Sequence, residues 1–315
     1  MVKREFHVRA FIIKLRLPLL LCAALFAGGC STPTPPGHGE TVTATVRNGP
    51  FPAYETGPLP AKTKILLVAG GSTLANFLQE VLDQRNYWLK VGYRPSEIAC
   101  YYVRPDARHY LEDKEQFDNL APHARGFYQA RPDQIYGHLS QLGTESPKHI
   151  YFYTTSHGVA ASDEVDDYAL VYDADPIDYQ KRLHYYVRPA ELRDALNQLP
   201  ASTHKTVVLQ GCHAGGFVDA RQAPYRSRTL QTVPSICVLA ASRYDRTSFG
   251  CGATDDSTYY GSAFLSALRE QNERVPELDL EELASATVDR VEWMEQTHHV
   301  PFDKRSLPQF YSNRP

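Results

Sequence analysis

The sequence predicts an α/β protein built on a mainly parallel sheet with helices on both faces. Three observations carry this. Short runs rich in β-branched and aromatic residues recur, and several end in glycine or other small residues, as buried strands do at a turn. Stretches with helical spacing of apolar residues lie between them. Strands and helices alternate, which is the pattern of crossover connections between parallel neighbours.

The elements follow in order. Lys64-Ile65-Leu66-Leu67-Val68-Ala69-Gly70-Gly71 reads as a buried strand ending in glycines. Ser72 is placed to cap a helix with Leu74, Phe77, Leu78, Val81 and Leu82 on one face. Strand, Gly-Gly and helix together raise a phosphate-loop reading. The chain lacks both the Lys-Ser/Thr of a P-loop and the Gly-x-Gly-x-x-Gly spacing, so nucleotide binding is set aside. Ile98–Val103 is the second strand, and 112–130 reads as helix or a long irregular insertion. Pro132–Leu142 is a helix with proline in its first turn. His149–Thr155 is a strand, and Tyr168–Tyr172 a short hairpin arm. A helix starts at Arg188-Pro189 and is stopped by Pro200. Strands follow at Lys205–Gln210 and Ser235–Ala241, then helices at Gly261–Arg269 and Leu280–Gln296.

The chain has 315 residues, enough for one large domain or two small ones. Apolar residues make up 43 % and charged residues 22 %, which supports a sizeable soluble core. A net charge of −3 argues against a nucleic-acid partner. No internal repeat is seen.

The first residues read as a signal rather than as fold. Lys3, Arg4, Arg9, Lys14 and Arg16 form a positive region, and Leu17–Ala27 is apolar but short for a bilayer span. Leu25-Phe26-Ala27-Gly28-Gly29-Cys30 is similar to a bacterial lipoprotein signal, in which Cys30 is lipidated and becomes the first residue. Ser31, rather than Asp, follows it, so the expected location is the outer membrane, facing the periplasm or the exterior. Residues 1–29 are then the signal, 30–61 a tether rich in Pro, Gly and Thr, and 62–315 the folded domain. Of the six cysteines, Cys22 leaves with the signal and Cys30 carries lipid. If Cys212 stays reduced, Cys100, Cys237 and Cys251 remain, an odd number that leaves the pairing of any disulfide open. No spacing suggests a metal, and no cofactor is expected.

Two strands end on reactive side chains: Thr154-Thr155-Ser156-His157-Gly158 and Gln210-Gly211-Cys212-His213-Ala214-Gly215-Gly216. If they are parallel neighbours, His157 and Cys212 emerge together at the C-terminal edge of the sheet, where ligands of open α/β sheets bind. A thiol beside an imidazole is the minimum apparatus for covalent acyl transfer. Free cysteine is often simply buried, but the glycines around Cys212 make an open backbone rather than a packed strand interior. A nucleophile elbow needs glycine two residues before and two after the nucleophile; Gln210 and Ala214 stand there, so that motif fails. His213 should face away from the thiol, since successive residues leaving a strand point to different sides.

Ser-His-Gly, Gly-Cys-His-Ala-Gly-Gly and Ala-Ala-Ser-Arg, each closing a strand in that order, resemble the caspase–legumain clan of cysteine peptidases. Within the clan the chain is most similar to the legumain family, peptidase family C13, in its bacterial lipoprotein branch. Ser235–Cys251 resembles the strand and specificity loop after the nucleophile, and Ser306–Tyr311 the Pro-Gln-containing end. The resemblance implies a caspase-like three-layer α/β/α sandwich. It implies a cysteine endopeptidase with Cys212 as nucleophile, His157 as general base and acid, and the Gly158 and Cys212 N–H groups as oxyanion hole. It implies a substrate pocket of Gln210, Ser242, Thr247, Ser248 and Asp255, the last beside Asp256. Such a polar pocket suits an asparagine-like or basic side chain before the cut bond. The substrate would be a protein or peptide. Transamidation through the same dyad is one alternative, and a non-catalytic binding protein on the same fold is another. Oligomeric state is not legible.

Overall fold

The structure is a computed structural model. It describes residues 54–71, 75–103, 114–161, 168–172, 185–218, 229–251 and 255–314. The signal, Cys30, Ser72 and Leu74 lie outside them. The strands are β1 (Ile65–Ala69), β2 (Ile98–Tyr102), β3 (Tyr128–Gln129), β4 (His149–Thr155), β5 (His157–Val159), β6 (Ala169–Val171), β7 (Tyr186–Val187), β8 (His204–Gln210), β9 (Ile236–Ala240) and β10 (Gln309–Ser312). The helices are α1 (Ala75–Lys90), α2 (Lys114–Leu120), α3 (Pro132–Glu145), α4 (Pro189–Leu196), α5 (Tyr259–Gln271) and α6 (Leu280–Thr297).

A seven-stranded sheet runs in the order β10-β9-β8-β4-β1-β2-β3. Every neighbour pair is parallel except β9–β10, so the sheet is mainly parallel as expected. A second sheet, β5-β6-β7, is antiparallel.

The period of two along each strand sorts side chains to two faces. Ile65, Leu67, Tyr151, Tyr153, Val208 and Leu239 face one way and pack with Phe77 and Val81 of α1, Phe264 of α5 and Leu283 of α6. Leu66, Val68, Phe152, Val207 and Val238 face the other way and pack with Ile135 and Leu139 of α3 and Leu192 and Leu196 of α4. The result is a three-layer α/β/α sandwich. Each fully buried Leu or Val stabilises it by about 1.5–3 kcal/mol relative to exposure.

At the N-terminal edge of the sheet Lys205 is wholly buried. Its Nζ donates to the carbonyls of Pro200, Thr203 and Pro234 at 3.1, 2.9 and 3.0 Å, using its three protons. Burial still pulls its pKa down to about 8.

Several boundaries differ from expectation. The stretch after residue 112 holds α2, a 3-10 turn at Ala121–Ala124 and the short strand β3. α3 runs on to Glu145, closed by Ser146 in the left-handed region (φ 52°). α4 ends three residues before Leu199, and α5 begins two before Gly261, capped by Thr258, whose side chain accepts from the Gly261 N–H. The stretch expected to form the end of a tether is docked. Leu59 is buried, Glu55 bridges to Tyr128, and Gln141 hydrogen-bonds both the N–H and the carbonyl of Leu59. The four described cysteines, Cys100, Cys212, Cys237 and Cys251, are unbonded. Cys100 on β2 and Cys237 on β9 are four strand spacings apart, roughly 19 Å, beyond disulfide reach.

Candidate active site

β4 and β8 pair in parallel over seven positions, from His149 opposite His204 to Thr155 opposite Gln210. The Ser156 N–H donates to the Gln210 carbonyl and extends the pairing. Two residues past the last pair, at the same offset on both chains, stand His157 and Cys212. The shared register places both residues just past the C-terminal edge at neighbouring positions.

His157 opens β5 and sits opposite Val171 of β6. Its ring meets the Phe77 ring edge-on, with centroids 5.2 Å apart. Burial lowers its pKa, favouring the neutral imidazole. Cys212 is half-buried, and burial raises its pKa. The Ser248 N–H donates to Cys212 Sγ at 3.3 Å, which works in the opposite direction, and the thiol faces the Ser248 carbonyl at 3.7 Å. Burial thus works against the charged form of both side chains.

Gly158 does not have a positive φ. Its need is steric: a Cβ there would stand 1.9 Å from the Cys212 carbonyl oxygen and 3.0 Å from the Cys212 nitrogen. Only glycine lets the two backbones approach this closely.

His213 adopts the left-handed conformation (φ 59°). Its N–H donates to the Arg246 carbonyl, and its Nδ1 lies 2.9 Å from the Tyr244 carbonyl, so that nitrogen carries the proton. The ring is tied to the loop after β9. In the same loop Arg243 pairs with Asp245.

The expected pocket residues separate into groups. Gln210 is 0 % exposed and accepts from the Thr155 hydroxyl at 2.7 Å. Its Nε2 is buried without a partner among the described residues. The Ser242 hydroxyl is occupied with the Gly211 carbonyl at 3.1 Å. Thr247 is exposed and Asp255 half-buried. Ser248 acts on the thiol through its backbone rather than its side chain. Sequence reasoning missed that contact, because a backbone N–H carries no residue signature. It also missed Asn76, next to the Phe77 that touches His157. Asn76 donates to the Gly250 carbonyl at 3.1 Å, and its Oδ1 is buried without a partner among the described residues. A polar residue directly before the apolar face of α1 was the available signal.

Fold and site together define an α/β protein with a thiol and an imidazole at one sheet edge. The family model described as Peptidase C13 family matches residues 133–313, and the chain belongs to that family. It is a family of peptidases, so the substrate class is protein or peptide. Among solved structures the chain is similar to protein GSU0716 of Geobacter sulfurreducens. Identity is 10 %, the match covers 81 % of this chain and 94 % of that one, and the TM-score is 0.49. It is also similar to caspase-1 of Spodoptera frugiperda, at 11 % identity over 84 % and 96 % of the two chains, with a TM-score of 0.49. No curated protein matches.

Proposed function

We propose that this peptidase-family chain is a cysteine endopeptidase whose dyad is Cys212 and His157. The observation that carries the reading is the common register of β4 and β8, which sends both residues out of the same sheet edge at the same offset. As the Cys212 sulfur attacks the peptide carbonyl, His157 takes the thiol proton and a C–S bond forms. The oxyanion is met by the Gly158 and Cys212 N–H groups, whose backbones already lie in contact. The C–N bond then breaks and His157 gives its proton to the leaving amine. Water, deprotonated by His157, attacks the thioester and restores the thiol.

Gln210, with the loop carrying Ser248 and Asp255, forms the specificity pocket in this reading. Cys30 carries the lipid anchor that holds the enzyme at the cell envelope.

The test is a peptide-library cleavage profile with the wild type beside Cys212→Ala, and labelling by a thiol-reactive peptide probe. Cleavage and labelling that both vanish in Cys212→Ala are expected. Cleavage that survives it, or a wild type that is never labelled, overturns the reading. An added amine appearing on the new C-terminus would make the activity acyl transfer to amines.

A further inference from the structure

β1 runs out into Gly70-Gly71, and neither glycine has a positive φ. Their use is space. A Cβ on Gly70 would stand 2.1 Å from the Tyr172 ring, and one on Gly71 2.4 Å from the Phe77 ring. Both rings are fully buried. They lie on opposite faces of the sheet: Phe77 packs in the layer of α1, Tyr172 in the layer of α3 and α4. β1 is the parallel neighbour of β4, with Ala69 opposite Thr155, and the Gly70 N–H donates to the Thr155 carbonyl at 2.9 Å. Gly71 and His157 each stand two residues past that last pair. The two seats therefore lie beside the end of the strand that delivers the imidazole.

Each ring reaches His157 by its own route. The Phe77 ring stands at 89° to the His157 ring with centroids 5.2 Å apart, the geometry of a T-shaped aromatic pair. The helix behind it is tied down three residues on, at Glu80. Glu80 Oε1 accepts from the Thr258 N–H at 2.7 Å and the Ser257 hydroxyl at 3.1 Å, and its Oε2 accepts from the Tyr153 hydroxyl of β4 at 2.8 Å. Gly261 leaves room for that carboxyl group, since a Cβ there would lie 2.4 Å from it. Tyr172 acts on the backbone instead. Its hydroxyl lies 2.5 Å from the Thr154 hydroxyl of β4, and it directly follows Val171, the β6 partner of His157.

We propose that Phe77, seated on Gly71, is a positioning residue for the general base, with Tyr172 on Gly70 as its counterpart on the opposite face of the sheet. This rests on the reading of His157 as the base of the dyad. A base that takes a proton from the thiol and later gives it to the leaving amine needs one ring orientation through both transfers. A packed ring supplies that orientation and keeps water from the imidazole, in line with burial as the cause that lowers the His157 pKa. A phosphate loop leaves its glycines open to a ligand. Here both are covered by rings of the chain itself.

The test has two readouts. Phe77→Leu removes the ring and keeps an apolar side chain. Its kcat, per active site counted by alkylation of Cys212, should fall about ten- to a hundredfold, with KM within about twofold. The second readout needs no substrate. In Cys212→Ala protein, where the thiol no longer titrates, the NMR titration midpoint of His157 should rise toward the ordinary imidazole value once Phe77→Leu is added. Gly71→Ala, whose Cβ displaces the ring, should lower kcat in the same way. Added to Phe77→Leu it should cost little more, since no ring is left to displace. If Gly71→Ala does not fold, the two readouts on Phe77→Leu decide. An unchanged kcat, an unmoved His157 midpoint, or full additivity of the two substitutions each overturns the role of Phe77 and leaves the peptidase reading intact. A wild type without Cys212-dependent cleavage overturns both.

Discussion

The backbones of Gly158 and Cys212 touch, and the contact leaves no space for a side chain on Gly158. Gly158→Ala should therefore push the His157 strand end away from the thiol. We expect a stability loss of about 1–3 kcal/mol, the usual weight of overpacking, and a fall in kcat/KM larger than that loss explains. Denaturant unfolding and peptide cleavage on the same preparation separate the two effects. Unchanged turnover would mean that the approach of the two backbones has no part in the chemistry.

Cys212→Ala and His157→Ala should each lower turnover by at least about 10³-fold with nearly native unfolding curves, since both stand two residues past the last β4–β8 pair. His213→Ala should keep clear activity. It loses its bond to the Tyr244 carbonyl, worth about 1 kcal/mol, and so shows mainly in Tm. A dead His213→Ala beside an active His157→Ala would reverse the assignment of the base.

Reaction with a neutral alkylating agent should track the resting state of the pair. Burial raises Cys212 and lowers His157, so the thiolate is scarce at neutral pH. The alkylation rate should climb through the alkaline range, above the ordinary thiol value. A plateau already reached near pH 6 would instead indicate a preformed thiolate–imidazolium pair.

Lys205 gives a stability signature away from the site. Its folded pKa is near 8, below the ordinary lysine value. Between those values the unfolded chain binds more protons than the folded one, so this group makes stability rise with pH from about 8 upward. Lys205→Met should remove that rise, read as the difference in unfolding free energy between pH 7.5 and pH 9.5. An unchanged slope in the variant would assign the effect elsewhere.

Cys30→Ser should yield a water-soluble protein with full peptidase activity. The described residues begin at 54, well after it, and Glu55 already bridges to Tyr128. Detergent partitioning and the mass of the first peptide check this. A wild type without an acyl mass would favour simple secretion.

The central strands were legible because they are buried on both faces: β1 and β9 read as unbroken apolar runs, and β4 and β8 carry apolar centres at Ile150–Tyr153 and Val207–Leu209. β3 has two residues, and β10 alternates half-buried with exposed positions, so neither carries that signal. His157 and Cys212 were legible because small residues surround them at strand ends. Glu80 was not. It lies on the buried face of α1 between Phe77 and Gln84, where a charge reads as the edge of an apolar stripe. Its partners arrive from positions up to 178 residues away. Only the packed chain brings Tyr153, Ser257 and Thr258 to one carboxylate.

The paired strands also limit how this protein can change length. β4 and β8 share seven matched positions, and β8 is tied down by Lys205 at its far end. One inserted or deleted residue in either strand would turn its reactive side chain to the opposite face of the sheet. Substitutions along these strands can be absorbed one at a time, but a change of length there removes the site at a stroke. In the proposed reading, insertions that preserve activity are confined to the loops, and a search for functional relatives can use the seven-residue paired spans leading to His157 and Cys212 as its ruler.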